Sequence, residues 1–395
     1  MPKEQPMSKF SSIFCQLLSL FSKSDFYRAI HETQAERHSR GFSCWDQFVA
    51  MLFCQLGRAH SLREICGGLN TCFGKLRHLG LEKAPSHSTL AYANEHRPYK
   101  LYERIFFQFL ERCRTEALQK GHKFRFKNKL MSLDATVIDL CLSMYDWAKF
   151  RRAKGAIKLH LLLDHDGYLP SFVVITEGKT HEVNIAKKLH FAPGTILIFD
   201  KGYTDYTFFD RLCTDGVFFV TRMKSNAVYE VIEERTVPQN RHVISDQIIR
   251  LTGIDAQDKC AFYLRRIEVW DPKENEILVF LTNNMKLGST TSAAIYKERW
   301  QIEIFFKALK QNLKIKTFVG TTANAVKTQI WTALIAMLIV KYLKLRSTFE
   351  WSLSNLIALL RMNLFTYRDL WSWLDTPFEI PIVEPVAMQL ELKLK

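Results

Sequence analysis

Residues 129–140 read K-L-M-S-L-D-A-T-V-I-D-L, and residues 195–199 read T-I-L-I-F with Asp200 directly after them. The first run alternates and is strand-like. The second is a short apolar run of the kind that forms a strand buried on both faces. Between them stand two further β-rich runs, 157–164 and 168–175, separated by Asp166-Gly167. D-G between two such runs is a strong hairpin signal. A helix over about 181–190 precedes the buried strand, and a helix over 206–213 and a strand over 217–221 follow it.

Three strands that include a hairpin, then helix, strand, helix and strand, is the order of a ribonuclease H-like core in an α/β protein. Residues 224–285 alternate through more short strands, at 261–270 and 277–281, and read as a β-rich insertion into that core. From 291 to 313 the period returns to helix. Upstream, residues from about 8 to 122 read as an all-α N-terminal domain. Trp45, Phe48, Val49, Leu52, Phe53 and Leu56 are apolar at helical spacing, Gly57 breaks the run, and Ser61 can cap a second helix through Ile65. Two short helices joined by a Gly-containing turn resemble a helix-turn-helix, though an ordinary helical bundle has the same signature. Ser88 can cap another helix over 89–95, which Arg97-Pro98 ends. The chain therefore divides into a helical segment 1–122, a core 123–345 and a C-terminal helical segment 346–395; the helix-turn-helix reading makes 1–122 the expected DNA-binding domain, with subunit assembly as the alternative role.

Lys plus Arg outnumber Asp plus Glu by 55 to 40, a formal net charge of +15, which favours a polyanionic partner such as nucleic acid. With 47% hydrophobic, 13% aromatic and 24% charged residues, wholesale disorder is excluded. The nine cysteines are scattered and none forms a C-x-x-C pair, which disfavours zinc fingers and a disulfide framework and fits a reducing cytoplasm. The start, M-P-K-E-Q-P-M-S-K-F, is not a signal peptide. The most apolar stretch, 330–340, lies between Gln329 and Lys341 and is short of the roughly 20 apolar residues that span a bilayer. It reads as a buried helix, and no membrane is expected as a partner.

Asp134 sits in the middle of an apolar strand, where a carboxylate is costly unless something pairs with it. Asp200 stands at the carboxyl end of a buried strand, where α/β folds place ligands. The third candidate set is helical: Y-K-E-R-W-Q-I-E-I-F-F-K-A-L-K, residues 296–310. At about 100° per residue, Tyr296, Arg299, Glu303 and Lys310 share one stripe about 60° wide. Ile302, Phe305 and Leu309 lie opposite and can bury against a sheet. The plain alternative is a solvated face on which Glu303 and Lys307 make a surface ion pair.

These residues resemble a family: the DDE transposases of bacterial insertion sequences, in the large group named for insertion sequence four. Its signature on the last catalytic helix is Tyr, two residues, Arg, three residues, Glu, six residues, Lys, and Tyr296, Arg299, Glu303 and Lys310 match it at every spacing. I-F-D-K-G-Y-T-D-Y, residues 198–206, resembles the second-aspartate block, with Lys201 in place of its usual arginine. D-A-T at Asp134 resembles the first-aspartate block, and S-T-L-A-Y-A-N-E, residues 88–95, resembles the helical domain before the core in one branch of the group.

The resemblance implies that Asp134, Asp200 and Glu303 are the catalytic residues and ligate two Mg2+ ions, for which Mn2+ can substitute. Asp134 would bridge both ions, with Asp200 on one and Glu303 on the other. Tyr296, Arg299 and Lys310 would contact double-stranded DNA at the element's ends, with Lys201 beside them. A homodimer would hold two ends, and a hairpin would be an intermediate. An aromatic side chain of the insertion would hold a flipped base, and Trp270 is the candidate, with Trp300 as a second. Asp139, Asp164 and Asp166 are read as strand-end and turn residues. His160, His181 and Glu182 lack the spacing of a closed zinc site, and His181-Glu182 reads as helix-capping chemistry. A nuclease on the same scaffold, or a transposase-derived DNA-binding protein, are the rival readings.

Overall fold

The computed structural model describes residues 10–379 except 38, 40, 73, 120–123, 142–143, 152–153, 240, 314 and 316. The chain start and residues 380–395 of the C-terminal segment lie outside the described residues.

The N-terminal part is all helix: α1 (Ile13–Leu18), α2 (Lys23–Thr33), α3 (Cys44–Leu56), α4 (Leu62–Asn70), α5 (His87–His96) and α6 (Lys100–Leu118). Serines open most of these helices. Ser43 and Asp46 close a reciprocal capping box on α3, and the Ser61 hydroxyl accepts from Glu64 N at the start of α4. The cap of α5 is Ser86 and not Ser88, because the Ser86 hydroxyl accepts the Thr89 amide at 3.1 Å. Every residue of α3 except Asp46 is buried, so in the α3–α4 pair only α4 presents a surface, with Arg63, Glu64, Gly67 and Asn70 exposed.

The core strands follow in the expected order: β1 (Leu130–Leu140), β2 (Lys149–Arg151), β3 (Lys154–Asp164) and β4 (Leu169–Glu177), then α7 (Glu182–Ala186), β5 (Ile196–Ile198), α8 (Tyr206–Thr214) and β6 (Phe218–Arg222). The β3–β4 connection is four residues long, with Gly167 at φ 76° and Tyr168 at φ 53°. Helix α7 is shorter than its apolar pattern suggests. Arg211 of α8 donates to the backbone oxygens of Ala186, Lys187 and Leu189, which satisfies the carbonyls that a longer helix would use.

The rest of the chain is β7 (Tyr229–Glu234), β8 (Val243–Leu251), α9 (Ile254–Lys259), β9 (Leu264–Asp271), β10 (Glu276–Thr282), α10 (Ser289–Lys297), α11 (Trp300–Gln311), α12 (Ala323–Arg346), α13 (Leu353–Asn363) and α14 (Leu370–Asp375). Among the described residues the strands form one sheet in the order β2-β3-β1-β5-β6-β10-β9-β8-β7, with β4 also paired to β3. The run β4-β3-β1-β5-β6 is the ribonuclease H-like core. The β-rich insertion extends its edge, because β10 returns antiparallel onto β6.

Helix α12 is the centre of the molecule. It packs on α3, α5 and α6 on one side and on α11, α13 and β4 on others. At 24 residues it is long and apolar enough to cross a membrane by length and composition alone, yet it is buried inside the fold from Ala325 to Leu343 with few exceptions. It outruns its apolar centre in part because Gln329 and Thr332 are satisfied internally. Gln329 donates to Thr317 O at 2.8 Å and accepts from Val319 N at 2.9 Å, and Thr332 donates to Thr328 O at 2.6 Å. The nine cysteines are all free.

Candidate active site

The parallel pairing of β1 with β5 ends at Ser132 and Ile198, and that of β5 with β6 ends at Ile198 and Val220. Asp134, Asp200 and Arg222 each stand two residues beyond those final pairs. Three polar residues therefore lie level across three neighbouring strands, just past the point where the parallel pairing stops: Asp200 and Arg222 at the carboxyl ends of β5 and β6, and Asp134 within β1, which runs on paired to β3. Asp200 is held by its own loop: its Oδ1 accepts the Gly202 amide at 2.8 Å at the start of a short 3-10 turn, Lys201–Tyr203. Lys201 itself is exposed.

Asp134 is mostly buried, and burial pushes its carboxyl up to about 7. A hydrogen bond from the Ala135 amide at 2.7 Å and Arg299 at 3.3 Å pull the other way, while the charges of Asp200 and Glu182 add to the rise. Burial is thus the chief cause, and around Asp134 one arginine faces two further acids. Tyr203 shows the same condition. Burial first, and then Asp134, Glu182 and Asp200, hold its proton on, and its hydroxyl is buried without a hydrogen-bond partner.

The helical signature does not lie on one straight helix. Tyr296 belongs to α10 and Glu303 and Lys310 to α11, and the joint at Glu298 and Arg299 is wound with i to i+3 hydrogen bonds. A tighter turn advances about 120° per residue, so the single stripe expected from the sequence is bent at its middle. At this joint the buried Glu298 carboxylate accepts the Tyr168 hydroxyl at 3.0 Å.

The bend does not disperse the residues. Arg299 reaches both Asp134, at 3.3 Å, and Glu303, so one guanidinium bridges the β1 acid and the α11 acid. Although burial disfavours its charge, Tyr296, Glu303 and Asp134 hold the arginine ionised. Lys310 donates to Val137 O at 2.7 Å, three residues past Asp134 along β1. The Tyr296 ring packs on Phe280 of β10 at 5.0 Å, with the Arg299 guanidinium 5.8 Å above it. Glu303 thus turns to Arg299, while Lys307 is exposed.

Trp270 stands off from the acids. It lies half-buried on β9 in a cleft of about 270 Å³ lined also by Arg241, Lys273, Phe280 and Lys297. Phe280 joins this cleft to Tyr296. Trp300 is 59% exposed at the first position of α11. The residues read as structural behave so in the main: Asp164 pairs with Lys129 at 2.7 Å and caps the turn at Asp166, and His160 meets Thr176 at 2.9 Å. Glu182 is different. His181 makes no side-chain cap, and Glu182 pairs with Lys158 at 3.3 Å within electrostatic reach of Asp134. An acid opening the helix after the third core strand was the available signal, and it was read as capping.

Asp134, Asp200 and Glu303 offer hard oxygen donors, which suit a divalent ion of the magnesium class in kind. Among the described residues, however, no three His, Cys, Asp or Glu side chains close into a compact metal-holding group. Arg299 is the cation between two of the acids.

An acid within β1 level with one just past the end of β5, on a core of order β4-β3-β1-β5-β6, defines a ribonuclease H-like protein. Residues 125–339, more than half of the chain, match the family model described as "Transposase DDE domain", and the chain belongs to the DDE transposase family. It is an enzyme of DNA transposition that cleaves DNA and transfers the cut strand, in a family dependent on divalent metal ions. Residues 9–82 match a second model, a domain of unknown function. The chain is 30% identical over 291 residues to "Putative transposase y4zB" of Sinorhizobium fredii, covering 73% of this chain and 80% of that one. It is 26% identical over 258 residues to "Probable transposase for insertion sequence element IS5377" of Geobacillus stearothermophilus, covering 65% and 67%. The solved piggyBac transposase synaptic complex with hairpin DNA aligns over 95% of this chain and 84% of its own, with a TM-score of 0.42 and 11% identity, too distant to carry weight.

Proposed function

We infer that Asp134, Asp200 and Glu303 are the catalytic acids of a cut-and-paste transposase that acts at the ends of an insertion sequence. The observation that carries the reading is the meeting of the β1 acid and the α11 acid on one arginine, with Asp200 level with Asp134 on the next strand. Mg2+, or Mn2+ in its place, would be held by these three carboxylates, and when bound it supplies an activated water or 3′-hydroxyl and a stabilised leaving oxygen.

The surrounding residues bind and orient DNA. Arg299 is charged, semi-buried and already shared between two carboxylates, so it can exchange one of them for a phosphate bidentately. Arg299→Ala is expected to lower strand cleavage about 10- to 100-fold and to flatten its salt dependence. Arg299→Lys recovers part of the rate, since it restores the charge without the fork. A rate and salt profile unchanged in Arg299→Ala removes the arginine from the site.

Tyr296 and Lys310 flank the phosphate path, and the exposed Lys201 borders it beside Asp200. Trp270 supplies the aromatic face for a base lodged in the adjoining cleft, with Lys297 and Arg241 at its rim for the phosphates. Trp270→Ala should remove most of the fluorescence rise of a 2-aminopurine placed at the element terminus. An undiminished rise assigns the base to another aromatic, Trp300 first.

The N-terminal helices add DNA contacts through the exposed side of α4 and α5. Two copies hold two ends in a synaptic homodimer, and the protein works at the nucleoid in a prokaryotic cytoplasm. The deciding experiment is cleavage of a DNA fragment carrying the element's own ends, with and without magnesium. Metal-independent cutting contradicts the reading, and so does an intact fragment under every metal condition.

A further inference from the structure

The joint between α10 and α11 decides where Arg299 and Glu303 point, and little within the helix fixes it. Arg299 occupies the N-cap of α11 and makes no side-chain cap. A cation at a helix N-terminus also runs against the helix dipole. The start of α11 must therefore be held from outside.

Glu298, directly before Arg299, provides the hold. Its carboxylate is buried on the β3–β4 turn, where Oε2 accepts the Tyr168 hydroxyl at 3.0 Å and lies 3.9 Å from His165 Nδ1. The other ring nitrogen of His165 is 2.7 Å from Ser132 Oγ. Ser132 and Asp134 are two residues apart on β1 and so share one face of the strand. Asp134 in turn meets Arg299. A ring closes: Asp134, Arg299, Glu298, His165, Ser132, and back along β1.

Two observations mark the turn as built for this contact. Tyr168 adopts φ 53°, a left-handed conformation that costs a non-glycine residue on the order of 1 kcal/mol. From the far side, Lys341 of α12 lies 5.6 Å over the Tyr168 ring and 6.0 Å from the Phe305 ring of α11. The tyrosine that grips Glu298 is thus itself wedged between the central helix and the joint.

We propose that Glu298 is a positioning residue for the DNA chemistry, which with Tyr168 and His165 sets the α10–α11 joint so that Arg299 and Glu303 face Asp134. The catalytic half of this inference rests on the reading of Asp134 and Glu303 given above. The structural half does not.

The test uses the full-length protein with Glu298→Ala, Glu298→Gln and Tyr168→Phe. Amide hydrogen exchange over residues 299–306, without DNA, should rise roughly tenfold in Glu298→Ala and Tyr168→Phe. It should stay within about threefold of wild type in Glu298→Gln, whose side-chain oxygen still accepts the tyrosine. The cleavage kcat should fall about 30-fold or more in Glu298→Ala with end affinity within about threefold, and the glutamine variant should restore it. Unchanged exchange in Glu298→Ala overturns the proposal whether or not the protein cuts DNA. Raised exchange with an unchanged kcat, or a glutamine variant as damaged as the alanine, overturns it too. If the wild type does not cut, the assignment of the acids fails, while the exchange result still decides whether Glu298 holds the joint.

Discussion

Asp134→Asn is expected to abolish strand cleavage, a loss of about a thousandfold or more, while raising the melting temperature of the metal-free protein. The two effects share one cause. The Asp134 carboxylate is buried beside Asp200 and Glu182, and burial outweighs the help it receives from Ala135 and Arg299. A rise to about 7 marks a charged form that the fold disfavours at neutral pH. At about 1.4 kcal/mol per unit, the ceiling on that cost is about 4 kcal/mol. Asparagine can keep the hydrogen bond from the Ala135 amide but leaves Arg299 with Glu303 alone, so the net gain should be nearer 1–2 kcal/mol, or about 1–4 °C. Added Mg2+ should raise the wild-type melting temperature and narrow the gap, because an ion that binds only the folded state stabilises it. A melting temperature that falls in Asp134→Asn would mean that this carboxylate is structurally paired rather than held at a cost for chemistry.

The same unfavourable burial is what made part of the site legible in the sequence. Asp134 and Asp200 each interrupt or end an apolar run, and a costly carboxylate in a strand signals either a partner or a task. The core strands were legible for a related reason: burial on one face or both imposes a pattern that side chains 130–140 and 195–199 carry in themselves. What escaped depends on residues far away in the chain. The expected helix 181–190 stops where Arg211 takes the carbonyls of Ala186, Lys187 and Leu189, and the expected continuous helix through Tyr296 and Lys310 is interrupted at Glu298, whose carboxylate meets Tyr168, 130 residues earlier. No local period reports such contacts.

Glu182 was passed over because acids are common at helix starts. Its proximity to Asp134 follows only from packing α7 against β1 and the 3-10 turn that carries Tyr203. Helix α12 ran past its apolar centre for the converse reason. Gln329 looks like a polar flank, yet it is fully buried and bonded to Thr317 and Val319. The spacing of Tyr296, Arg299, Glu303 and Lys310 gives them one face only on a straight helix. The structure brings them together by a bend and an arginine bridge instead.

The central claim is that Glu303 brings the third carboxylate to Asp134 and Asp200, and Glu303→Ala tests it with the least structural disturbance. The side chain is 33% exposed and its ion pair with Arg299 is an i,i+4 contact, which should contribute only a few tenths of a kcal/mol to stability. The melting temperature should therefore stay within about 2 °C of wild type, and binding to the element's ends within about threefold. Cleavage should be lost by about a thousandfold or more at every Mg2+ concentration. The measurement is strand cleavage of a fragment carrying those ends, run in parallel for wild type and Glu303→Ala over a Mg2+ titration with a chelator control. The account predicts cutting by the wild type alone and only with the metal. Cutting by a folded Glu303→Ala protein at near wild-type rate would contradict it, and the third acid would have to be sought elsewhere, with Glu182 the first place to look.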